Sequence, residues 1–369
     1  MTTPPVEFDL DAMLVDLEAL VTIESPSHDL DAIMRSAVAL ADVIERRLGS
    51  RPTLVDSPAG PHVHWRGGDH AQVLVLGHHD TVFPLGTLAR RPFAITDGII
   101  TGPGVFDMKA GIVQAIHAAA ALSDASHVEL LFSSDEEVGS EASRALIEER
   151  AAACGAVLVC EPSADGGAIK TARKGVGTFE IVVRGRASHA GLEPEKGINA
   201  LVAAAEIVLA VSTLGDPATG TTVTPTVAIA GTAENVVPAE ARVKVDVRVV
   251  IASEQARIEA AMASLTTTVD GATIEVRGGI NRPPMPPSAS ATLLPIAQAA
   301  ARSVGLGELD GVAVGGGSDG NFTAAIGVPT LDGLGAVGGG AHADHEHVAV
   351  DALVPRAALL AELLGRLRH

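Results

Sequence analysis

From residue 13 to about residue 48, apolar side chains recur at three- and four-residue intervals, and the recurrence breaks at Pro26 in IESPS. That spacing predicts two helices joined by a turn. Further on the pattern changes to short apolar runs at 73–76, 129–132, 156–159 and 312–314, separated by helical stretches such as 111–122 and 141–153. Strands that alternate with helices predict an α/β sheet covered by helices. Between about 175 and 279 the texture changes again. GTFEIVVRGR, TPTVAIAG, ARVKVDVRVV and ATIEVRGG alternate or cluster β-branched residues, while 199–214 and 254–265 keep helical spacing. This stretch predicts an α+β module with an antiparallel sheet. The α/β pattern returns after NRPPMPPS, so residues 175–284 read as a module inserted into a domain made of 1–174 and 285–369. No internal repeat is visible.

Composition narrows the function classes. A chain of 369 residues with 47% hydrophobic positions can build a substantial core, which argues against disorder. The 26 basic side chains are outnumbered by 45 acidic ones, for a formal charge of -19. A nucleic-acid partner is therefore not expected, because binding one requires basic side chains to neutralise phosphates. An acidic surface can still enclose a locally cationic pocket. Cys154 and Cys160 flank an apolar run and read as buried, reduced core residues. The N-terminal MTTPPVEFDLDAML has no basic stretch followed by an apolar one. Nowhere do about 18 apolar residues run together. No membrane association and a cytoplasmic location are the expectations. The richest apolar segment, NALVAAAEIVLAVSTL, carries Glu206 and reads as a helix with one buried face.

Candidate chemistry gathers where the apolar runs end. VLVLG leads to His78, His79 and Asp80; LLFSS leads to Asp135, Glu136 and Glu137; VLVC leads to Glu161; and the segment from Leu331 runs to His342, with His345 and His347 close behind. In open α/β sheets the loops beyond the carboxyl ends of the strands converge on one crevice, so these distant residues are expected to meet. Asp107 sits in GPGVFDMKAG, a glycine-rich loop ahead of a helix predicted to start near Met108. His78, Asp107, Glu137, Glu161 and His342 offer imidazoles and carboxylates. Zn²⁺ accepts both, and two ions about 3.5 to 4 Å apart can share one carboxylate and activate a water. Glu136 is then surplus to coordination and free to act as a proton-transferring base. Asp80, two residues beyond His78, can orient that imidazole by accepting its other N–H.

Taken singly, an HxD or DEE triplet is more often a solvated loop cluster; joint placement at strand ends separates these from that reading. GGSDG at 316–320 formally matches a nucleophile elbow, with Ser318 as nucleophile, Asp332 as acid and His345 or His347 as base. That serine-hydrolase reading leaves Asp107 and the DEE cluster unexplained. A phosphate loop is excluded, since no Lys-Ser or Lys-Thr pair follows the glycines. A backbone nest for a substrate carboxylate, or a plain structural turn, accounts for them better. A metal-dependent binding module without turnover is disfavoured by the presence of Glu136. His117 and His127 read as packing or surface residues.

With these residues in view, the sequence resembles the dinuclear zinc hydrolase family of carboxypeptidase G (glutamate carboxypeptidase), acetylornithine deacetylase, succinyl-diaminopimelate desuccinylase and the aminoacylases. The resemblance runs from LEALVTIESPS through GHHDTV, GPGVFDMKAG, SSDEEVGS, CEPS, RASHAG, ENVVPAEARVKVDVR and GGGSDG to GAHADHEHV. It implies a zinc-peptidase-like catalytic domain with a central mixed sheet flanked by helices, plus an inserted lid and dimerisation domain. It implies two Zn²⁺ per chain, with Co²⁺ or Mn²⁺ as alternatives: His78 and Glu161 on one ion, Glu137 and His342 on the other, and Asp107 bridging ahead of a non-proline cis peptide. The family's spacing selects His342 over His345 and His347. Glu136 resembles the general base, Asp80 the partner of His78, and His189 a histidine that reaches the partner subunit's active site and stabilises the oxyanion. Asn235, Arg248 and Arg282 resemble residues that bind the substrate's carboxylate or line the site, and arginine suits a carboxylate because it can form two parallel hydrogen bonds. Glu161, where family aminopeptidases carry aspartate, points to the carboxypeptidase and deacylase branches, and within them to the glutamate carboxypeptidases. Lys170, Arg173 and Lys174 are candidates for a basic side-chain reader. The expected activity is hydrolysis of the amide bond of a small acyl-amino-acid or peptide substrate by a homodimer, with N-acyl-amino-acid deacylation as the alternative.

Overall fold

The structure, a computed structural model, describes residues 8–368, so part of the N-terminal stretch read above as lacking a leader lies outside the described residues. The chain divides into two compact units, one made of 1–172, 286–314 and 318–369, the other of 173–285 with 315–317.

The first unit is organised by a six-stranded mixed sheet in the order Thr53–Val55, His62–Arg66, Val128–Ser133, Val73–His78, Ala156–Val159 and Thr330–Leu331. The last four run parallel, and the first two join antiparallel at one edge. Every residue of Val73–His78, Val128–Ser133 and Ala156–Val159 is buried, as expected of parallel strands covered on both faces. Successive side chains point to opposite faces. Val73, Val75, Leu130, Phe132 and Leu158 therefore pack beneath one helical layer, and Leu74, Leu76, Leu131, Val157 and Val159 against another. The first layer contains Leu10–Val21, Leu30–Leu48, Ala110–Ala120 and Val350–Arg366. Asp9 and Asp29 start the first two helices by accepting the Ala12 and Ala32 N–H groups. All of Ala110–Ala120 except Ala120 is buried, which its mostly small, apolar composition permits.

The sequence-based elements are largely present, with two differences. The run at 312–314 does not enter the central sheet; Gly311–Val314 pairs with Ile169–Arg173 in a separate two-stranded ribbon, and Thr330–Leu331 supplies the fourth parallel strand. The helix placed near Met108 begins at Ala110, because Asp107 and Met108 hold non-helical angles within an irregular turn, Val105–Lys109.

The second unit is a βαββαβ arrangement of Gly175–Arg184, Ala200–Ser212, Thr222–Ala230, Glu240–Val249, Ala252–Ala263 and Thr273–Arg282. Its antiparallel sheet has Thr222–Ala230 and Thr273–Arg282 at the edges. Val243, Val245, Val247 and Val249 alternate with polar residues and pack with Ala203, Ile207, Ile258 and Met262 of the helices. Among the described residues no helix is long and apolar enough to cross a membrane.

Candidate metal centre

Four segments that end or follow the parallel strands supply His78, Glu136 with Glu137, Glu161 and His342, and the irregular turn Val105–Lys109 supplies Asp107. His78 is the last residue of its strand and pairs in register with Ser133, two residues before Asp135. Alternation then sends His79 to the opposite face, where its Nδ1 meets Ser36 Oγ at 3.1 Å and its Nε2 meets the Pro61 carbonyl at 3.1 Å. Burial pushes this second imidazole down to about 4, so it is a neutral structural group.

His78 Nε2 lies 3.3 Å from Asp107 Oδ1 and 3.5 Å from Glu161 Oε1. His342 Nε2 lies 3.3 Å from Asp107 Oδ2 and 3.1 Å from Glu137 Oε2. Asp107 thus turns one oxygen to each imidazole. His78, Asp107 and Glu137 form one cluster of converging donor atoms, and His78, Glu136 and Glu161 a second. The peptide after Asp107 is cis. Three of the four imidazole–carboxylate separations exceed the usual N–H···O range of about 2.7–3.2 Å. Tetrahedral coordination at about 2.0–2.2 Å would set donors about 3.3–3.6 Å apart, so the spacing fits a cation between them. Glu137 Oε1 is buried without a hydrogen-bond partner, as a donor awaiting an ion would be.

Charge is crowded here. Burial would raise the Asp107 carboxyl, yet the facing His342 and His78 imidazoles hold it well below its ordinary value. Burial would lower His78, and Asp107, Asp80 and Glu161 override it and raise it. His342 is raised to about 10 by Asp107 and Glu137. Glu137, by contrast, is pushed up, first by burial and then by the neighbouring Asp107 charge. Together the imidazoles carry too little positive charge for these carboxylates, a deficit divalent cations would fill.

Asp80 is fully buried and ties two of the loops together. Its Oδ1 accepts the Glu136 N–H at 3.2 Å, and its Oδ2 accepts the Glu137 N–H at 3.2 Å and the Ser27 hydroxyl at 2.7 Å. The nearest acceptor for His78 Nδ1 is the Asp80 carbonyl at 3.0 Å, with Oδ1 at 3.4 Å. Orientation of His78 is thus shared between the main chain and the carboxylate. Sequence reading missed Ser27 and Glu346. The latter is buried in HADHEH and accepts the Gly104, Phe106 and Asp107 N–H groups. Burial raises it to about 7 against those hydrogen bonds. The other two histidines of that motif stay apart: His345 is exposed, and His347 Nδ1 donates to the His345 carbonyl.

In the second unit His189 is exposed, and its Nδ1 accepts the Gly191 and Leu192 N–H groups, each at 3.1 Å. In the neutral ring the proton therefore sits on Nε2, which can donate it. Asn235 lies beside it, its carbonyl accepting the Ala190 N–H at 2.8 Å. Arg248 and Arg282 both pair in register with Val176, one on each side; an irregularity at Asn281 brings Arg282 into that row. Arg248 is bound side-on by Asp246, through Nε at 3.0 Å and Nη2 at 2.9 Å.

One reading is corrected. Ser318 is fully buried and donates to Asp332 Oδ2 at 2.5 Å, while its own N–H is held by Asn321. It is a turn residue beyond the reach of any substrate, and the serine-hydrolase alternative fails. Of the basic candidates for a side-chain reader, Arg173 is buried, with Nη1 donating to the Gly316 and Gly317 carbonyls at 3.2 Å each, and Lys174 Nζ donates to the Gly220 carbonyl at 2.8 Å.

Asp107 turns one carboxylate oxygen to each of two imidazoles, with further carboxylates alongside near the carboxyl ends of the parallel strands, a donor set that suits a metal-dependent hydrolase. The chain belongs to peptidase family M20/M25/M40, whose model matches residues 74–366. It is 31% identical to carboxypeptidase G2 of Pseudomonas sp. (strain RS-16), over 96% of this chain and 88% of that one. It is 30% identical to a succinyl-diaminopimelate desuccinylase of Ruegeria pomeroyi, over 62% and 68%. Its fold matches an M20 family metallo-carboxypeptidase of Sulfolobus solfataricus with a TM-score of 0.77, at 19% identity over 95% and 98%. It also matches a dinuclear metal-binding peptidase of the same family from Bacillus subtilis with a TM-score of 0.67, at 18% identity over 96% and 98%.

Proposed function

We propose that the chain is a dinuclear zinc hydrolase of the glutamate carboxypeptidase type, cleaving the amide bond of a small acyl-amino acid or peptide that carries a free carboxylate. The observation that carries this reading is Asp107, with one oxygen facing His78 and the other facing His342. His78 and Glu161 would hold one ion, Glu137 and His342 the other, and Asp107 both. Bound there, the ions would polarise the amide carbonyl and lower the pKa of an attacking water.

Glu136 takes the proton from that water and returns it to the departing amine, a task its place beside His78 and Glu161 suits. His189 presents Nε2–H, the kind of donor a developing oxyanion needs. We assign it that role from the partner subunit. Arg248 has an outer edge of N–H groups beyond its side-on pair with Asp246, and a substrate carboxylate can accept two of them. Asn235 and Arg282 complete the substrate-binding set. The broad similarity to carboxypeptidase G2 supports a carboxypeptidase, while the desuccinylase relative keeps N-acyl-amino-acid deacylation as the second reading.

A homodimer through the inserted unit is part of the reading. Val227 and Ile229 on the edge strand Thr222–Ala230 are 44% and 67% exposed, and Leu201 and Leu209 on Ala200–Ser212 are 50% and 71% exposed. An unpaired apolar edge of this kind seeks a partner. The unpaired Cys154 and Cys160 suit a reducing compartment such as the cytoplasm.

The test combines metal analysis with Glu136→Gln. Wild type is expected to hold two zinc ions per chain and to hydrolyse acyl-glutamates faster than N-acetylornithine or N-succinyl-diaminopimelate. The variant is expected to keep both ions and lose on the order of 10²–10⁴ in kcat. Near-normal turnover in the variant, or full activity of a metal-stripped wild type, would refute the mechanism.

A further inference from the structure

Glu346 is fully buried and lies in contact with the loop that carries Asp107. Its Oε2 accepts the Gly104 N–H at 2.9 Å, and its Oε1 accepts the Phe106 and Asp107 N–H groups at 3.0 and 2.9 Å. Three N–H groups from four successive residues therefore converge on one carboxylate, the arrangement of a backbone anion nest. The main chain of Glu346 is fixed as well. Its N–H donates to the Ala343 carbonyl at 3.1 Å, and the Ala343 N–H donates to the Gly340 carbonyl at 2.9 Å. His342 lies inside that turn with φ of 64°, a left-handed conformation that leaves a non-glycine residue little freedom.

A single side chain thus joins two loops more than 230 positions apart in sequence. On one stands Asp107 and on the other His342, whose Oδ2 and Nε2 face each other at 3.3 Å. We propose that Glu346 is a positioning residue: it sets the Asp107 carboxylate and the His342 imidazole at the separation a shared cation requires, without touching the cation. The proposal rests on the two-ion reading above. An amide in its place would turn an N–H₂ toward one of the backbone donors, so at least one of the three bonds is lost and the loop must shift. Aspartate keeps the charge but draws the oxygens back by one methylene.

The experiment titrates metal-free, full-length wild type, Glu346→Gln and Glu346→Asp with Co²⁺, following the visible absorption of the bound ion against a competing chelator. Melting of each metal-free protein is recorded in parallel. Wild type is expected to bind two equivalents. In Glu346→Gln the affinity for the second should fall about 10–100-fold, the usual effect of removing a group that orients a ligand, with Glu346→Asp in between. If Glu346→Gln does not fold, Glu346→Asp alone decides. Wild-type affinity for both equivalents in the variants, even with lowered melting temperatures, would assign Glu346 to the fold alone and overturn the proposal. A wild type that binds fewer than two equivalents would overturn the two-ion reading itself and this inference with it, and the two failures are told apart because only the second appears in the unmutated protein.

Discussion

Arg248 meets Asp246 through Nε and Nη2, so the guanidinium is held in one orientation by a neighbour two positions away on the same strand face. A pre-set fork loses less conformational freedom when a ligand arrives. Arg248→Ala is expected to raise KM and lower kcat on a free-carboxylate substrate, costing about 2 kcal/mol or on the order of 30-fold in kcat/KM. Asp246→Asn should raise KM with a smaller change in kcat. Steady-state kinetics that leave both constants unchanged for both variants would remove this pair from the site. Single residues also mark where sequence reading stops. His78 and Glu161 were visible because an apolar run points straight at each. Glu346, Ser27 and Asp80's grip on the Glu136 and Glu137 main chain left no such mark, since their partners are N–H groups or residues more than 50 positions away. Ser318 misled for the converse reason: a nucleophilic side chain looks the same in sequence whether it faces a cleft or, as here, a buried carboxylate.

Among the elements, the parallel strands were the easiest to foresee and the short antiparallel ones the hardest. Val73–His78 and Ala156–Val159 are apolar throughout because both faces are covered. His62–Arg66, which pairs between the edge strand Thr53–Val55 and Val128–Ser133, is made mostly of polar and aromatic residues and lacks that signature. Gly311–Val314 has the composition of a core strand but is only partly buried, so its pattern could not reveal that it pairs outside the central sheet. Close packing at the strand ends is set by glycine. A Cβ on Gly111, at the start of Ala110–Ala120, would lie 2.1 Å from the Cys160 carbonyl oxygen, and one on Gly335 would lie 2.2 Å from the same atom. Helix and loop therefore press on the residue before Glu161, and Gly335→Ala should displace that proposed ligand and weaken metal binding, as chelator competition would report. Arg356 secures the same loop. Buried on Val350–Arg366, it donates to the Gly335, Gly167 and Gly333 carbonyls. Arg356→Met would leave three buried acceptors unpaired, and the expected loss is about 3 kcal/mol or more in denaturant unfolding. A change under about 1 kcal/mol would mean that water replaces the guanidinium.

For the whole molecule, stability is tied to pH through Asp16. This carboxylate is buried between Leu10–Val21 and its neighbours, where it meets Arg46 at 2.7 Å, Arg47 at 2.6 Å and His117 at 2.7 Å. Burial alone would raise its pKa, and these three partners together pull it well below the ordinary value. A depressed pKa means that the folded state releases this proton more readily than the unfolded chain does. The contribution is complete above about pH 5 and is lost as pH falls through and below about 4. Wild type should lose stability across that interval in denaturant melts. Asp16→Asn should be less stable at neutral pH by on the order of 2 kcal/mol and show a shallower acid dependence; parallel acid profiles for the two proteins would exclude Asp16 as the source. The discontinuous first unit has a further consequence, one of timing. Its fourth parallel strand, Thr330–Leu331, and His342 lie beyond residue 285, after the entire inserted unit. A ribosome therefore completes that second unit while the first still lacks a strand and a proposed metal ligand. Contacts closing so long a loop form late and slowly. The growing chain should thus remain catalytically silent until the residues beyond 285 dock, and hydrolytic competence becomes a property of the finished molecule rather than of any fragment released before it.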